Sequence, residues 1–144
     1  MPKCYLLAMG SGSSVDQHSN NITLFNMVEQ LNFPRQNWPA PGALLPLEMH
    51  AYLRLEPSEL NQQFQLRFVL VGENGLETPT NAFPHRATSQ RYRTRAFGLP
   101  APPSAGSYAL RVEYRGSGDG PWTRDSQSWP VLVVEAEARP AVTH

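Results

Sequence analysis

Apolar and polar residues alternate along the stretch 44–71, and this alternation constrains the fold more than any other feature of the chain. In the first run every second residue is apolar, namely Leu45, Leu47, Met49, Ala51, Leu53 and Leu55. A second run repeats the pattern with Phe64, Leu66, Phe68 and Leu70. Side chains on a strand point to opposite faces with a period of two, so each run predicts a half-buried strand. The short polar connection between the runs predicts an antiparallel pair on one wall of a core.

Length and proline content together favour a single all-β domain. A chain of 144 residues can bury its own core without cross-links. Fourteen prolines and ten glycines discourage long helices and favour short strands joined by turns. We therefore predict a two-sheet antiparallel sandwich of seven or eight strands over residues 1–135. Residues 136–144 show no pattern and are predicted to form a flexible, disordered tail.

The other strands and connections follow from the same alternation. Two early strands are predicted at 3–9 and 22–31, separated by a polar loop over 10–21. Proline-rich segments at 33–46 and 99–106 predict crossovers between the two sheets. The later part of the chain predicts a tight turn at 72–75, a brief strand at 76–80, an irregular stretch at 81–89, and strands at 91–98, 108–115 and 129–134.

Charge balance and cysteine count exclude some classes of protein. Twelve basic residues balance twelve acidic ones, so no global field favours nucleic acid or an anionic membrane, although a local basic patch stays open. Cys4 is the only cysteine, which excludes a disulfide scaffold and agrees with a reducing cytosol. No apolar run has the length of a signal-peptide core or a membrane helix. We expect a soluble, cytoplasmic protein that does not bind a membrane.

Several features of the chain share an outline with one group of proteins. They are Cys4 in the opening strand, the polar loop before Ile22, Phe33-Pro34, the turn at 72–75 and the Gly106-Ser107-Tyr108 start of a late hairpin. Over residues 3 to 135 the chain resembles a family of small bacterial single-domain proteins of uncharacterised function. The resemblance implies an immunoglobulin-like sandwich and supplies no catalytic residues. The Gly-Ser-Gly-Ser sequence after Met9 departs from the family outline, where an acidic residue is expected soon after the cysteine.

No pattern of residues indicates an active site or a metal site. Nucleophilic catalysis needs serine or cysteine beside an oriented base, whereas Cys4 lies in an apolar strand that predicts an inert, buried thiol. The histidines are scattered without metal-ligand spacing, so neither a metal nor another cofactor is predicted. One enzymatic alternative stays open, a composite hydrolytic site with His50 or His85 against a carboxylate. We expect a protein that is not an enzyme.

Three alternating arginines are the most distinctive polar feature of the sequence. Arg91, Arg93 and Arg95 share one face of a predicted strand, with about 7 Å between neighbours. Arginines in this arrangement suit phosphate or carboxylate groups, which they bind through bidentate contacts. These three residues are therefore the candidate anion-binding site.

Further arginines fall on outward positions of other predicted strands, namely Arg54, Arg67, Arg111 and Arg115. If those strands adjoin, one sheet face of a neutral protein becomes strongly basic, and Tyr52 offers it an aromatic ring for single-stranded nucleic acid. The alternative, favoured on sequence alone, is that the arginines solvate a sheet face and pair across strands with Glu48, Glu56 and Glu113.

Three aromatic regions predict partner-binding surfaces, centred on Trp38, Phe83 and Trp122. Aromatic residues are enriched in binding hot spots, although each of these could instead plug an end of the sandwich. The leading hypothesis is a non-enzymatic protein-interaction or structural module that binds a protein partner or its own copy. The alternative is binding of an anionic ligand or nucleic acid by the three arginines, with nucleic acid not favoured.

Overall fold

The computed structural model describes residues 1–136 and shows two β-sheets around one hydrophobic core. Its strands are β1 (Lys3–Val15), β2 (Ile22–Met27), β3 (Gln30–Pro34), β4 (Leu44–Arg54), β5 (Gln63–Gly72), β6 (Glu77–Pro79), β7 (Phe83–Arg86), β8 (Arg91–Pro100), β9 (Gly106–Gly116), β10 (Thr123–Arg124) and β11 (Trp129–Ala136). The predicted all-β class and the two sheets are confirmed, but the predicted count of seven or eight strands is wrong. Of the predicted tail, Ala136 belongs to β11 and residues 137–144 lie outside the described residues. No helix in the described chain is long and apolar enough to cross a membrane.

The two sheets differ in size and in strand direction. Sheet A contains four antiparallel strands in the order β2-β1-β4-β8. Sheet B contains seven strands, with β3-β11-β9-β5-β6 as its main path, β7 on β5 and β10 on β9. The prediction of purely antiparallel sheets is wrong for sheet B, because β3 and β11 pair in parallel. A parallel pair joins segments from opposite ends of the chain, and alternation within each segment carries no information about strand direction.

The two central runs do not pair with each other, so the predicted antiparallel pair is wrong. Strand β4 pairs with β1 and β8 in sheet A, whereas β5 pairs with β9 in sheet B. Between them a single 3-10 turn at Pro57–Glu59, closed by a capping box between Glu56 and Glu59, leads the chain to the other sheet. The apolar sides of both strands are nevertheless buried as predicted, because each sheet turns one face to the common core.

Strand β1 extends well beyond its predicted end. It pairs with β4 up to Gly10 and then with β2 as far as Val15, so only Asp16–Asn21 form the loop predicted for 10–21. A Cβ atom on Gly10 would lie 2.8 Å from the carbonyl oxygen of Phe25, and glycine therefore allows this close approach of β1 and β2. The strand predicted for 22–31 is split, because β2 ends at Met27 and β3 joins the other sheet.

The predicted crossovers and the tight turn are confirmed, and two strands, β7 and β10, were not predicted. Segments 33–46 and 99–106 carry the chain from β3 to β4 and from β8 to β9, in each case between the sheets. Gly75 has a φ of 82° and donates its N–H to Gly72, which closes the turn between β5 and β6. The stretch predicted as irregular contains β7, in which His85 pairs with Phe64 of β5.

One buried carboxylate links the two sheets. Asp125 is 8% exposed, and its Oδ2 accepts hydrogen bonds from the Cys4 N–H in β1 and from the Tyr114 hydroxyl in β9, at 2.8 and 3.1 Å. Its Oδ1 accepts a third from the N–H of Gln127 at 2.9 Å. Burial, together with the nearby charge of Asp125, raises the pKa of the Cys4 thiol to about 11. The thiol therefore stays protonated and buried, as an inert cysteine does.

Replacement of Asp125 by alanine is expected to destabilise the protein by about 3 kcal/mol, because it leaves three donors without their acceptor. Denaturant unfolding of Asp125→Ala against the parent protein measures this change. Asp119→Ala removes a carboxylate from an exposed loop and is the matched control, with little expected effect. Equal stability of the two variants would contradict the role assigned to Asp125.

Candidate functional site

Two of the three predicted aromatic residues are engaged within the protein. Trp38 donates its Nε1–H to the carbonyl oxygen of Pro102 at 2.9 Å, and its ring packs edgewise on Phe33 with centroids 5.1 Å apart. The Trp122 ring lies against two arginines, since the Cζ atoms of Arg67 and Arg115 are each 4.3 Å from its centroid. Both tryptophan rings therefore make packing contacts within the protein.

Phe83 lies elsewhere, on β7 at an open side of the molecule. It lines a cleft of about 420 Å³ between the edge of sheet A and the β6–β7 region of sheet B. Leu44 and Phe97 line the same cleft with 66% and 68% of their surface exposed. Within residues 1–136 no aromatic contact joins any two of Trp38, Phe83 and Trp122. The three predicted regions therefore do not form one surface.

The three predicted arginines all lie exposed on the outer face of β8, the last strand of sheet A. The register with β4 places Arg91 opposite Arg54, Arg93 opposite Tyr52 and Arg95 opposite His50. Since neighbouring strands are about 4.8 Å apart, these opposed side chains lie within reach of each other. The predicted proximity of Tyr52 and Arg54 to the arginine stripe is thus observed.

A row of three cations crosses sheet A at one end. Lys3 of β1 is opposite Arg54 of β4, and Arg54 is opposite Arg91 of β8. We call these residues the cation row. In the described part of the chain none of the three forms an ion pair with a carboxylate. The contact of Arg54 is instead with the ring of Tyr5, whose centroid lies 5.9 Å from the Arg54 Cζ atom.

The remaining predicted arginines lie on the other sheet, so the single basic face that would join them to Arg54 is not formed. Arg67 pairs with the buried Glu113, as does Arg124, a residue that the sequence did not single out. Other acceptors satisfy the rest: Arg115 donates to Gln65, and Arg111 donates to the carbonyl oxygens of Asp125 and Gln127. The predicted pairing of arginines with Glu113 and Glu48 is thus confirmed for Arg67 in sheet B and for Arg95 in sheet A, whereas the cation row forms no ion pair in the described chain.

A groove opens beside the cation row on the outer face of sheet A. Its volume is about 680 Å³, and it is lined by Tyr5, Leu6, Ser19, Asn20, Asn21, Ile22, Leu24, Tyr52, Ser89, Arg91 and Arg93. We call it the basic groove. Tyr5 and Tyr52 lie in β1 and β4, the arginines lie in β8, and the loop between β1 and β2 supplies the facing side. That loop was not assigned to a site from the sequence, because only a polar surface loop was predicted over Gly10–Asn21. Tyr5 was also not singled out.

Contacts between the β1–β2 hairpin and β8 hold the groove in shape. Asn20, with a φ of 60°, accepts a hydrogen bond from Arg93 Nη1 through its carbonyl oxygen at 2.8 Å. Asparagine tolerates this left-handed conformation better than most residues. Arg95 Nη1 donates to the Ser13 hydroxyl at 3.3 Å. Burial raises the pKa of Tyr52 although the charge of Arg93 opposes it, so its hydroxyl stays neutral.

Under this hairpin lies a pair of residues relevant to the composite hydrolytic site. His50 is only 2% exposed, and its Nε2 lies 2.9 Å from Glu48 Oε2. Burial acts to raise the pKa of Glu48, but hydrogen bonds with Ser13 and His50 and the charge of Arg95 outweigh it, so that pKa is lowered. The Ser13 hydroxyl bonds to Glu48 and Arg95 and has no hydrogen bond with His50, so Ser13 and His50 do not form a serine–histidine pair.

His85 has an aromatic environment. Its ring stacks on Phe64 with centroids 5.6 Å apart, and its Nδ1 lies 2.9 Å from the Tyr92 hydroxyl. Burial lowers the pKa of His85, because the charged imidazolium would lose hydration there. No acidic residue forms an ion pair with it in residues 1–136, and no cluster of acidic, histidine or cysteine side chains in that range is suited to a metal ion.

Protein-family models give no match to the chain, and neither do the curated proteins. The resemblance to single-domain bacterial proteins therefore stays a prediction.

The half-buried His85 is expected to make stability depend on pH. Its folded-state pKa lies below the unfolded value of 6.5, so the unfolded chain binds more protons and stability falls as pH drops through that value. His85→Phe keeps the aromatic stack without the titrating group, and should flatten the dependence measured by denaturant unfolding between about pH 7 and pH 5. The control His18→Gln, at the exposed tip of the β1–β2 hairpin, should show the same pH dependence of stability as the parent protein. An unaltered pH profile in His85→Phe would contradict this assignment.

Proposed function

We propose that this protein is a non-enzymatic binding module that holds an anionic ligand in the basic groove. The observation that carries this proposal is the cation row beside the groove. Like charges directly opposite each other on adjacent strands destabilise a sheet, by roughly 0.2–1 kcal/mol for each pair. Lys3, Arg54 and Arg91 form two such pairs, and none of the three makes an ion pair in the described chain, although the charge of Glu59 lies near Lys3. Fold stability does not account for this arrangement, whereas an anionic ligand would offset the repulsion.

The chemistry of the arginines supports the same proposal. A guanidinium group presents a rigid fork of donors that matches the two oxygens of a phosphate or carboxylate. The Cζ atoms of Arg93, in the basic groove, and of Arg54, in the cation row beside it, lie 6.0 and 5.9 Å from tyrosine ring centroids. Such cation–π contacts orient the guanidinium planes and leave N–H groups at their edges to bind oxygen. The groove therefore combines fixed positive charge with an aromatic floor.

Protein binding is the rival function, and its support is narrower. Trp38 and Trp122 are committed to contacts within the chain, which leaves Phe83 and the exposed Leu44 and Phe97 at the cleft. A protein partner or a second copy at this cleft would cover apolar surface. The cleft carries no charge that would select a partner, and so we favour the basic groove as the ligand site.

Three further proposals complete this assignment. We infer an immunoglobulin-like sandwich from two largely antiparallel sheets around a shared core, although the parallel β3–β11 pair and seven strands in sheet B extend beyond that outline. The lone cysteine supports a cytoplasmic location. The isolation of Ser13 from His50 supports a role without catalysis.

Removal of two cations from the row is expected to weaken ligand binding without loss of stability. Arg54→Gln/Arg91→Gln should bind inorganic polyphosphate about tenfold more weakly than the parent in isothermal titration calorimetry, since each lost charge contact costs part of the affinity. Its unfolding free energy should stay equal or rise slightly, because a like-charged pair is removed.

The matched control is Arg35→Gln/Arg86→Gln, which removes the same charge from exposed positions away from the groove. It should bind polyphosphate as the parent does. Absence of binding by the parent, or equal weakening in both double variants, would refute the proposed function.

A further inference from the structure

We infer that the anionic ligand of the basic groove is single-stranded nucleic acid, with phosphates on the cations and a base on the tyrosine floor. This inference rests on the proposed function and names the class of its ligand. Binding of single strands typically combines a positively charged groove with exposed aromatic rings on which bases stack. Both parts are present on the outer face of sheet A.

The aromatic part consists of Tyr5 and Tyr52. Their ring centroids lie 6.1 Å apart with the planes inclined at 64°. Tyr5 is 46% exposed, so ring surface stays open to a planar ligand. A simple inorganic anion would gain nothing from this surface, whereas a base would gain stacking contact.

The wall facing the arginines is uncharged and combines polar side chains with the apolar Ile22 and Leu24. The hairpin loop supplies Asn20 and Asn21, and Ser89 precedes β8. Asparagine side chains carry both donors and acceptors, as do the edges of bases. The one acidic residue of the loop, Asp16, accepts hydrogen bonds from the Ser19 hydroxyl and the His18 N–H, and does not line the groove. A base edge therefore meets neutral hydrogen-bonding groups opposite the positive wall.

The shape of the site favours a single strand over a duplex. In a duplex the bases are stacked inside and are read by a helix or ribbon that projects into a groove. Here the protein surface is itself concave, and only an unpaired base can turn onto the ring of Tyr5. The cations also extend in two directions, along β8 through Arg93 and across the sheet through Arg54 and Lys3. A chain of several phosphates would follow such a path, which one nucleotide would not fill.

Salt dependence gives a quantitative test of this inference. Four cations, Lys3, Arg54, Arg91 and Arg93, line or flank the groove. If each contacts a phosphate, the logarithm of affinity should fall against the logarithm of salt concentration with a slope of about −2.8. Fluorescence anisotropy with a labelled oligothymidylate of roughly nine nucleotides measures the slope between about 50 and 200 mM salt. Arg91→Gln should reduce its magnitude by about 0.7.

Base stacking is tested separately from charge. Tyr5→Ala should weaken oligothymidylate binding about tenfold or more and polyphosphate binding much less, because both ligands lose the ring that orients Arg54 but only the oligonucleotide also loses a stacked base. Tyr5→Phe should retain binding of both ligands. Phe97→Ala removes an exposed aromatic residue outside the groove and should change the affinity for neither oligothymidylate nor polyphosphate.

The outcomes separate the failure of this inference from failure of the proposed function. If polyphosphate binds but oligothymidylate binds no more tightly and Tyr5→Ala has no effect, the nucleic-acid assignment is overturned and anion binding stands. If a mononucleotide, a duplex of equal length or polyglutamate binds as tightly as the oligonucleotide, the assignment to a single strand is likewise overturned. If neither polyphosphate nor oligonucleotide binds, both conclusions fail.

Discussion

The hydrogen bonds of Asp125 fix the position of one sheet relative to the other, and the rest of the structure depends on that position. The carboxylate joins the backbone of β1 to the Tyr114 hydroxyl of β9 inside the core. Apolar packing alone lets two sheets slide with little loss, because the hydrophobic effect has no direction. A buried carboxylate with three donors permits only one arrangement, since any shift leaves charge without partners in a medium of low dielectric constant. Strand β1 is thereby fixed, and it supplies both Tyr5 and the hairpin of the basic groove.

The outer faces of the two sheets differ in how their charged side chains are paired. On sheet B the buried Glu113 binds Arg67 and Arg124, and the ring of Trp122 covers Arg67 and Arg115. That face is neutralised and covered by its own side chains. On sheet A, Glu48 pairs with His50 and Arg95 at one end, whereas the cation row at the other end forms no ion pair in the described chain. A protein with no net charge thus carries a local basic surface, and the contrast between faces supports a ligand for sheet A.

Alternation in sequence predicted where strands lie but not which strands meet. Residues 45–55 and 64–70 are strands as predicted, yet they face each other across the core, because alternation specifies a buried side and not a neighbour. The arginine stripe was predicted residue by residue, since it lies within one strand. The basic groove was not, because Tyr5, Asn20 and Arg91 are distant in sequence and meet only through tertiary structure. Asp125 was likewise unrecognisable, since nothing local marks a buried carboxylate after a glycine-rich loop.

The length of β1 explains why a groove exists at all. Its first part completes sheet A beside β4, and its last part continues past the sheet to pair with β2, with Gly10 shared between both pairings. A strand that ended at Met9 would leave the outer face of sheet A flat, with its cations in open water. The extended hairpin instead faces β8, and the bond from Arg93 to Asn20 joins the two sides. Because these contacts are made between the protein's own residues, the two sides of the groove are held together within the fold, and a preorganised site retains more of its contact energy as affinity.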